Sequence, residues 1–448
     1  MDLSDIPIEV SFITAEKIIR KGEMNRVFST PENGNYFFGY YDKSPFDINS
    51  ERLLAMKVNF IDRRPTKEDI VEIGYFSWKD TNKFYPIATT RAWNWQQGCM
   101  LQWLGPDYRK SIVYNDRLSD SFVTVIMNVE SGEKTILPMA YYTIQSTGKT
   151  ALCIDFERHY WFRPGYSYKG IEVKEKSLPD YKEDGIWAMD IANKTVRKIV
   201  SIDTIMKIQP HTSMIRVANY LEHLMMSPCN EKFAFLHRWR LDDGGIYSRL
   251  FTANIDGSNI RLQSDSGRMS HYCWKNKRKI IAWGAMPNRL DALRKNRSMV
   301  KYFVKPLLPL YRKMVHSGTQ RSKKVHRAIT NESYIEFDLE SERQRKIVLG
   351  RDDTDGHPSF GKKEYGHMMI SDTYPDKMTH KQKLLMFNMK TGMLQIVDEL
   401  PHPKEYYGKG YRCDLHPKWS TDSNYLSIDT ILDGKRRMCV YEIDDKSV

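Results

Sequence analysis

The stretch Glu222-His-Leu-Met-Met-Ser-Pro-Cys-Asn-Glu-Lys-Phe-Ala-Phe-Leu-His-Arg-Trp239 decides how this chain is read. A polar residue, His223, precedes a short apolar run. Ser227-Pro228 turns the chain, and a small polar turn from Cys229 to Lys232 leads into a second apolar run, Phe233 to Leu236. Apolar alternation on both sides of turn residues is the pattern of a β-hairpin.

Working outward, the same unit returns six more times. It is found at Gly39-Tyr-Tyr-Asp-Lys-Ser-Pro-Phe46, at Gln96 to Trp103, at Met139 to Ile144, at Ser270-His-Tyr-Cys-Trp274, at Gly356-His-Pro-Ser-Phe360 and at Asp414-Leu-His-Pro-Lys-Trp-Ser420. Each is followed by a second β run, and further short β runs such as Ile186 to Asp190 and Leu384 to Asn388 lie between the copies. Seven units of four strands predict an all-β, seven-bladed β-propeller formed by residues 1–448 as a single domain. A large β-sandwich or two all-β domains is the alternative. The innermost strands are expected near 39–43, 97–103, 139–144, 223–227, 271–274, 357–360 and 415–419.

Two stretches interrupt the repeat. One, about 157–184, is aromatic and basic and includes Arg158-His-Tyr-Trp-Phe-Arg-Pro-Gly-Tyr166. The other, about 287–327 between blades five and six, carries twelve Lys/Arg from Arg289 to Arg327 against one acid, Asp291. Its apolar residues recur at helical spacing, so Asn288 to Val315 is expected to be a basic amphipathic helix that projects from the propeller. It would pack on the side of the propeller, cover its mouth, or contact an anionic membrane surface.

The chain is 41% hydrophobic, with a net charge of +13. That balance favours acidic partners. The basic run has no interleaved stacking platform, so no specific nucleic acid is expected. Six cysteines without CxxC pairs read as reduced thiols. The N-terminus has no apolar signal core, and no run of 18 apolar residues exists, so the expected location is cytoplasmic.

Residues at the start of a propeller's innermost strands converge on one channel mouth. Here they are Tyr40, Tyr41, Asp42, Lys43, Gln96, Gln97, Tyr142, His223, His271, His357 and His416. Four of twelve histidines occupy the equivalent place in four consecutive blades. Convergent imidazoles suit a divalent transition metal or zinc. Structural histidines that hydrogen-bond strand ends are the alternative. His211 is a further candidate member, and Arg238 could reach an anionic substrate.

The run from Glu222 through Trp239, with Leu250-Phe-Thr-Ala-Asn-Ile-Asp-Gly-Ser258 and Ser270-His-Tyr-Cys-Trp274, resembles oligogalacturonate lyase over about 60 residues. The resemblance implies that His223 is the site base and that His271 and His357 are ligands of a manganese-like ion. The further clustered His and Gln of that family's metal site are missing beside His357. Tyr142, Arg158 and the Arg163-Pro-Gly-Tyr166 motif resemble the propeller ulvan lyases, in which the Tyr is acid/base and the Arg neutralises the uronate carboxylate. The additional histidines of those enzymes have no counterpart here, because blade two offers Gln96 and Gln97.

Both resemblances imply a polysaccharide lyase that cleaves a uronate-containing acidic glycan by β-elimination. Such chemistry must neutralise the carboxylate, remove the α-proton and protonate the leaving oxygen. The expected catalytic set is His223, Tyr142, Arg158 and Arg238. Tyr41, Lys43, Gln97, Arg163, Tyr166 and His416 are expected to bind substrate, and His271 and His357 to bind metal. Trp95 and Trp161 are candidate sugar platforms, while Trp93 reads as packing. The alternative is a non-catalytic propeller or scaffold in capsule or surface-polysaccharide biosynthesis.

Overall fold

Turn chemistry and period-2 patterning produce seven sheets, each with a four-stranded antiparallel core, in the computed structural model. It describes residues 11–15, 17–20, 24–171, 180–286, 291–307, 309, 330–350 and 354–443. The sheets form a seven-bladed β-propeller. Blade four shows how the sequence dictates the blade. Asn219–Met226, Lys232–Arg240, Ile246–Asn254 and Arg261–Ser264 pair in order, joined by short polar turns. Phe233, Phe235 and Phe251 stack in its interior at 5.5 Å between ring centroids. Each fully buried Phe contributes about 2–3 kcal/mol.

Several innermost strands differ from the expected bounds. Blade one uses Asn35–Phe37, and residues 39–43 form a turn region after it. Blade four starts earlier than expected, at Asn219. The strands after the histidines are shorter than expected: Tyr272–Trp274, Ser359–Phe360 and Lys418–Trp419. The missing residues sit on the mouth rim, where the ladder gives way to side-chain hydrogen bonds.

Closure also differs from a plain repeat of four strands. Blade seven takes its outer strand from the N-terminal part of the chain, Arg26–Ser29, which pairs antiparallel with Lys435–Glu442. Ser11–Thr14 and Lys17–Arg20 add parallel fifth strands to blades five and six.

Blades are tied together by polar residues near the ends of second strands. Asn115 exchanges hydrogen bonds with the backbone of Tyr141 in the next blade. Asp372 accepts from the backbone N–H of His357 and of His416. Asp429 accepts from those of Phe38 and Gly39. The same devices set the entry points of the strands that carry the site.

The pairing also places the insertions. In each blade the second strand ends, and the third begins, level with the start of the innermost strand. Tyr141 pairs with Cys153, and Tyr272 with Ala282. The connection after Cys153 and the one after Ala285 therefore both emerge at the mouth end. The first forms the helix Phe156–Phe162, capped by Asp155. The second is helical over Asp291–Lys295, Arg297–Met299 and Val300–Val304. The rest of the expected helix to Val315, apart from 305–307 and 309, lies outside the described residues. Among the described residues no helix is long and apolar enough to cross a membrane.

Candidate functional site

His223 sits on a β-bulge. The register shifts between Glu222 and Met225, and His223 has a φ of 56°. A bulge re-aims a side chain, and left-handed backbone at a non-glycine residue marks a position held by its surroundings. His416 has a φ of 44°. The two residues are turned inward from separate blades.

The His223 ring is hydrogen-bonded at Nδ1 and faces a carboxylate at Nε2. Nδ1 lies 2.5 Å from the Tyr40 hydroxyl, and Nε2 lies 3.6 Å from Glu222. Burial, only partly opposed by Glu222, holds His223 well below the ordinary imidazole range. The imidazole is thus neutral, with Nε2–H facing the carboxylate and Nδ1 accepting from Tyr40.

Glu222 is fully buried and is the hub of the charges here. Arg238 donates to it, Arg163 Nε stands 3.4 Å away and His159 Nε2 3.2 Å away. Burial alone would push this carboxyl up, but Arg163 and Arg238 hold it well below the usual carboxylate range. The pocket therefore contains one carboxylate and two guanidiniums. Arg238 uses its donors on Glu222, Ser248 Oγ and the Met269 carbonyl. Arg163 is the surplus cation, and it stacks over Tyr166 at 4.3 Å. The Tyr166 ring in turn stands edge-on to His223 at 6.0 Å.

Of the two arginines in the aromatic insertion, the structure brings Arg163 to this hub. Arg158 is held instead by Asp155 at 3.6 Å and Asp184 at 3.9 Å. Helical phase explains the difference. His159 and Arg163 are four residues apart and share a face, whereas Arg158 lies on another side.

Tyr142 is buried and stacked on Phe156. Its oxygen accepts hydrogen bonds from Gln97 Nε2 at 2.7 Å and from the His223 N–H at 3.0 Å. Two accepted bonds leave its own O–H as the remaining valence. Lys43 pairs with Asp42 at 2.7 Å and stands over the Tyr142 ring at 6.0 Å.

The other three histidines cluster. The His357 ring centroid is 4.1 Å from that of His271 and 4.3 Å from that of His416, with Tyr41 at 5.1 Å. Tyr41 donates to the Tyr272 carbonyl, which fixes its ring. His271 Nδ1 meets Asp355 at 2.9 Å, and His357 Nδ1 meets Asp372 at 2.8 Å. Burial, opposed by Asp355, lowers the His271 pKa, whereas at His357 burial is outweighed by Asp372 and the pKa is raised.

Carboxylates behind Nδ1 orient each Nε2 outward, as supporting carboxylates do at metal-bound imidazoles. Ligand atoms of His357, Asp414 and His416 all lie within 4.8 Å of one another. His416 Nε2 is a buried nitrogen without a hydrogen-bond partner, which is an unmet demand a cation would satisfy. The donor set fits a divalent ion of the manganese or zinc kind. Asp414, which the sequence reading did not single out, joins it from two residues before His416. Arg412 grips Asp414 at 2.8 Å.

Two open clefts lie beside the mouth. One, about 320 Å³, is walled by Arg238, Arg268, Ser270, Trp283 and Asp355. The other, about 400 Å³, is walled by Trp161, Phe162, Tyr220 and Arg240. Trp95, a candidate platform, is instead buried against Phe37 and Phe60 and belongs to the core, as Trp93 does. His211 is engaged by Asp265 at 3.0 Å and packs on Trp239, apart from the cluster.

Sequence reasoning placed Tyr40 at the mouth without a role, and assigned none to Glu222, Asp355, Asp372, Asp414 or Arg412. Only the Asp-x-His spacing at 414–416 and the Glu-His pair at 222–223 signalled them locally.

No family model matches the chain, and no curated protein matches it. Solved structures do. An oligogalacturonate lyase in complex with manganese aligns at a TM-score of 0.61 and 15% identity, covering 94% of this chain and 93% of that one. The oligogalacturonate lyase of Vibrio parahaemolyticus aligns at 0.59 and 12%, covering 94% of each. At these identities the likeness is one of fold, and the chain is a seven-bladed propeller similar to that of the oligogalacturonate lyases.

Proposed function

We propose that this protein is a polysaccharide lyase that cleaves a uronate-containing acidic glycan by β-elimination at the channel mouth. The observation that carries the reading is the surplus Arg163 beside a Glu222–His223–Tyr40 chain. Arg163 is half-buried and shares Glu222 with Arg238, so one carboxylate serves two guanidiniums and Arg163 keeps donors for a second carboxylate. The neighbouring chain of carboxylate, neutral imidazole and phenol is a proton-transfer device.

The roles follow from valence. Arg163 neutralises the substrate carboxylate and so acidifies the proton α to it. Tyr40 is hydrogen-bonded to His223 Nδ1 and Glu222 faces Nε2 at 3.6 Å, and we assign Tyr40 as the group that meets substrate. Its oxygen takes the C5 proton while its own proton passes to His223 Nδ1, and Glu222 stabilises the imidazolium that results. The C5–H electron pair becomes the C4–C5 double bond, and the C4–O bond breaks. Tyr142, whose O–H is not spent on its two donors, protonates the leaving oxygen. Arg238 holds Glu222 in place. A divalent ion bound by His357, His416 and Asp414, with His271 adjacent, would supply further neutralisation of the carboxylate. Tyr41, Lys43, Gln97 and Tyr166 would shape the sugar site, and the Trp161 cleft would receive a neighbouring ring.

The test is ultraviolet absorbance of the unsaturated uronate product across a panel of acidic glycans. Tyr40→Phe, His223→Ala and Tyr142→Phe should each lower the rate about 100-fold or more. A panel without absorbance gain removes the lyase reading. Turnover that survives Tyr40→Phe removes the assigned relay.

A further inference from the structure

The helical excursion of blade five shows apolar side chains to solvent. Of the eleven exposed large hydrophobic residues among the described ones, four lie between 299 and 307: Met299, Tyr302 (64% exposed), Phe303 (60%) and Leu307 (63%). Ile215, whose carbonyl accepts from Arg297, adds a fifth. Apolar residues scattered singly on a surface need no explanation, but a cluster does.

The excursion is fastened to the propeller by its other side. Val300 is buried with Met214, Trp239, Leu241 and Tyr247. Arg297 donates to Asp242 at 2.9 Å, and Arg294 to the Gly267 and Ile246 carbonyls at 3.0 Å. The apolar face is therefore held outward by a docked element.

Charge indicates what covers this face. Lys301 and Lys305 are exposed beside it. The sequence from Arg289 to Arg327 has twelve cations and one acid, so it holds eleven of the thirteen excess positive charges of the whole chain. Aromatic and aliphatic side chains flanked by lysines suit the boundary between headgroups and acyl chains of an anionic bilayer.

We infer that the helical segment 297–307 is an interfacial anchor that docks the protein on an anionic membrane surface through Met299, Tyr302, Phe303 and Leu307, with Lys301 and Lys305 at the headgroups. The excursion leaves blade five at the mouth end. Docking therefore sets the channel mouth toward the bilayer, where a surface-held acidic glycan would enter. The inference is independent of whether the mouth performs elimination.

The test is sedimentation of the full chain with phosphatidylcholine vesicles, with and without phosphatidylserine. Binding is expected to the anionic vesicles, at least about tenfold weaker to the neutral ones, and weaker as salt is raised. The triple variant Tyr302→Ser/Phe303→Ser/Leu307→Ser should lose about tenfold in partitioning with an unchanged melting temperature, because all three side chains are exposed. Lys301→Glu/Lys305→Glu should lose as much. Equal binding to both vesicle types, or none to either, overturns the inference. So does wild-type partitioning of the triple variant, which would leave the basic run as a purely electrostatic contact. A concentration-dependent dimer in gel filtration that the triple variant abolishes would assign the face to a second copy of the chain, and would likewise overturn it.

Discussion

Replacing Glu222 by Gln should cost much more stability than replacing Arg163 by Met, whereas Arg163→Met should abolish binding of a carboxylate ligand. Glu222 is the only carboxylate found in contact with Arg163 and Arg238 among the described residues, and it is fully buried. Glu222→Gln leaves two guanidiniums without their anion in a dry pocket, which costs about 3–5 kcal/mol. Unfolding entropy is about 2.1 cal/mol/K per residue. For 448 residues that is about 0.9 kcal/mol/K, so the melting midpoint should fall by about 3–5 °C. Arg163→Met instead leaves Glu222 paired with Arg238 and His159, and should lower the midpoint by no more than about 1–2 °C. In wild type, a uronate disaccharide at about 100 times its dissociation constant should raise the midpoint by about 3 °C, from about 2.7 kcal/mol of linkage. That rise should vanish in Arg163→Met. The assay is differential scanning calorimetry of both variants with and without the disaccharide. If Arg163→Met is as destabilising as Glu222→Gln, Arg163 is an obligatory counter-ion and the surplus-charge reasoning fails. An unchanged ligand shift in Arg163→Met would place the carboxylate elsewhere.

Asp184 gives a pH-dependent prediction. Burial and then Asp155, against Arg158, raise its carboxyl from 3.8 to about 7. The folded state therefore keeps a proton that the unfolded chain loses, so the stability from Asp184 is fully present below about pH 3.8 and is lost as pH rises through about 7. Asp184→Asn should be close to neutral at low pH and stabilising by about 4 kcal/mol above pH 7, measured as a melting difference that grows with pH. After loading with manganese or zinc and desalting, elemental analysis should find a retained divalent ion in wild type and little in His416→Ala or Asp414→Asn, since both remove a ligand atom from the cluster. Thiol titration should find one fast-reacting cysteine in the native protein, Cys229, and six in denaturant, because the other five thiols are buried. Burial pushes the Cys413 thiol up to about 12.

The hairpin repeat, the seven blades and the convergence of His223, His271, His357 and His416 are legible in the sequence, because they rest on local order. Period-2 alternation and turn residues set strand and register, and register sets which residue stands at a strand's mouth end. The Asp-x-His spacing at 414–416 is present in the sequence, but only the tertiary structure brings Asp414 to the cluster. What the tertiary structure alone decided depends on contacts between distant segments. Arg163 rather than Arg158 reaches Glu222 because Asp155 caps the helix at one phase, and because blade four supplies the carboxylate 59 residues after that arginine. Asp355 and Asp372 stand behind His271 and His357 only when second strands and blade connections close on the mouth. Tyr40 meets His223 across 183 positions of chain. The outer strand of blade seven comes from Arg26–Ser29 because ring closure leaves an unpaired edge that an early segment fills. A periodic pattern encodes which side of its own strand a residue occupies. It carries no information about the charge that will stand opposite, as Glu222 does beside His223 and Asp372 behind His357.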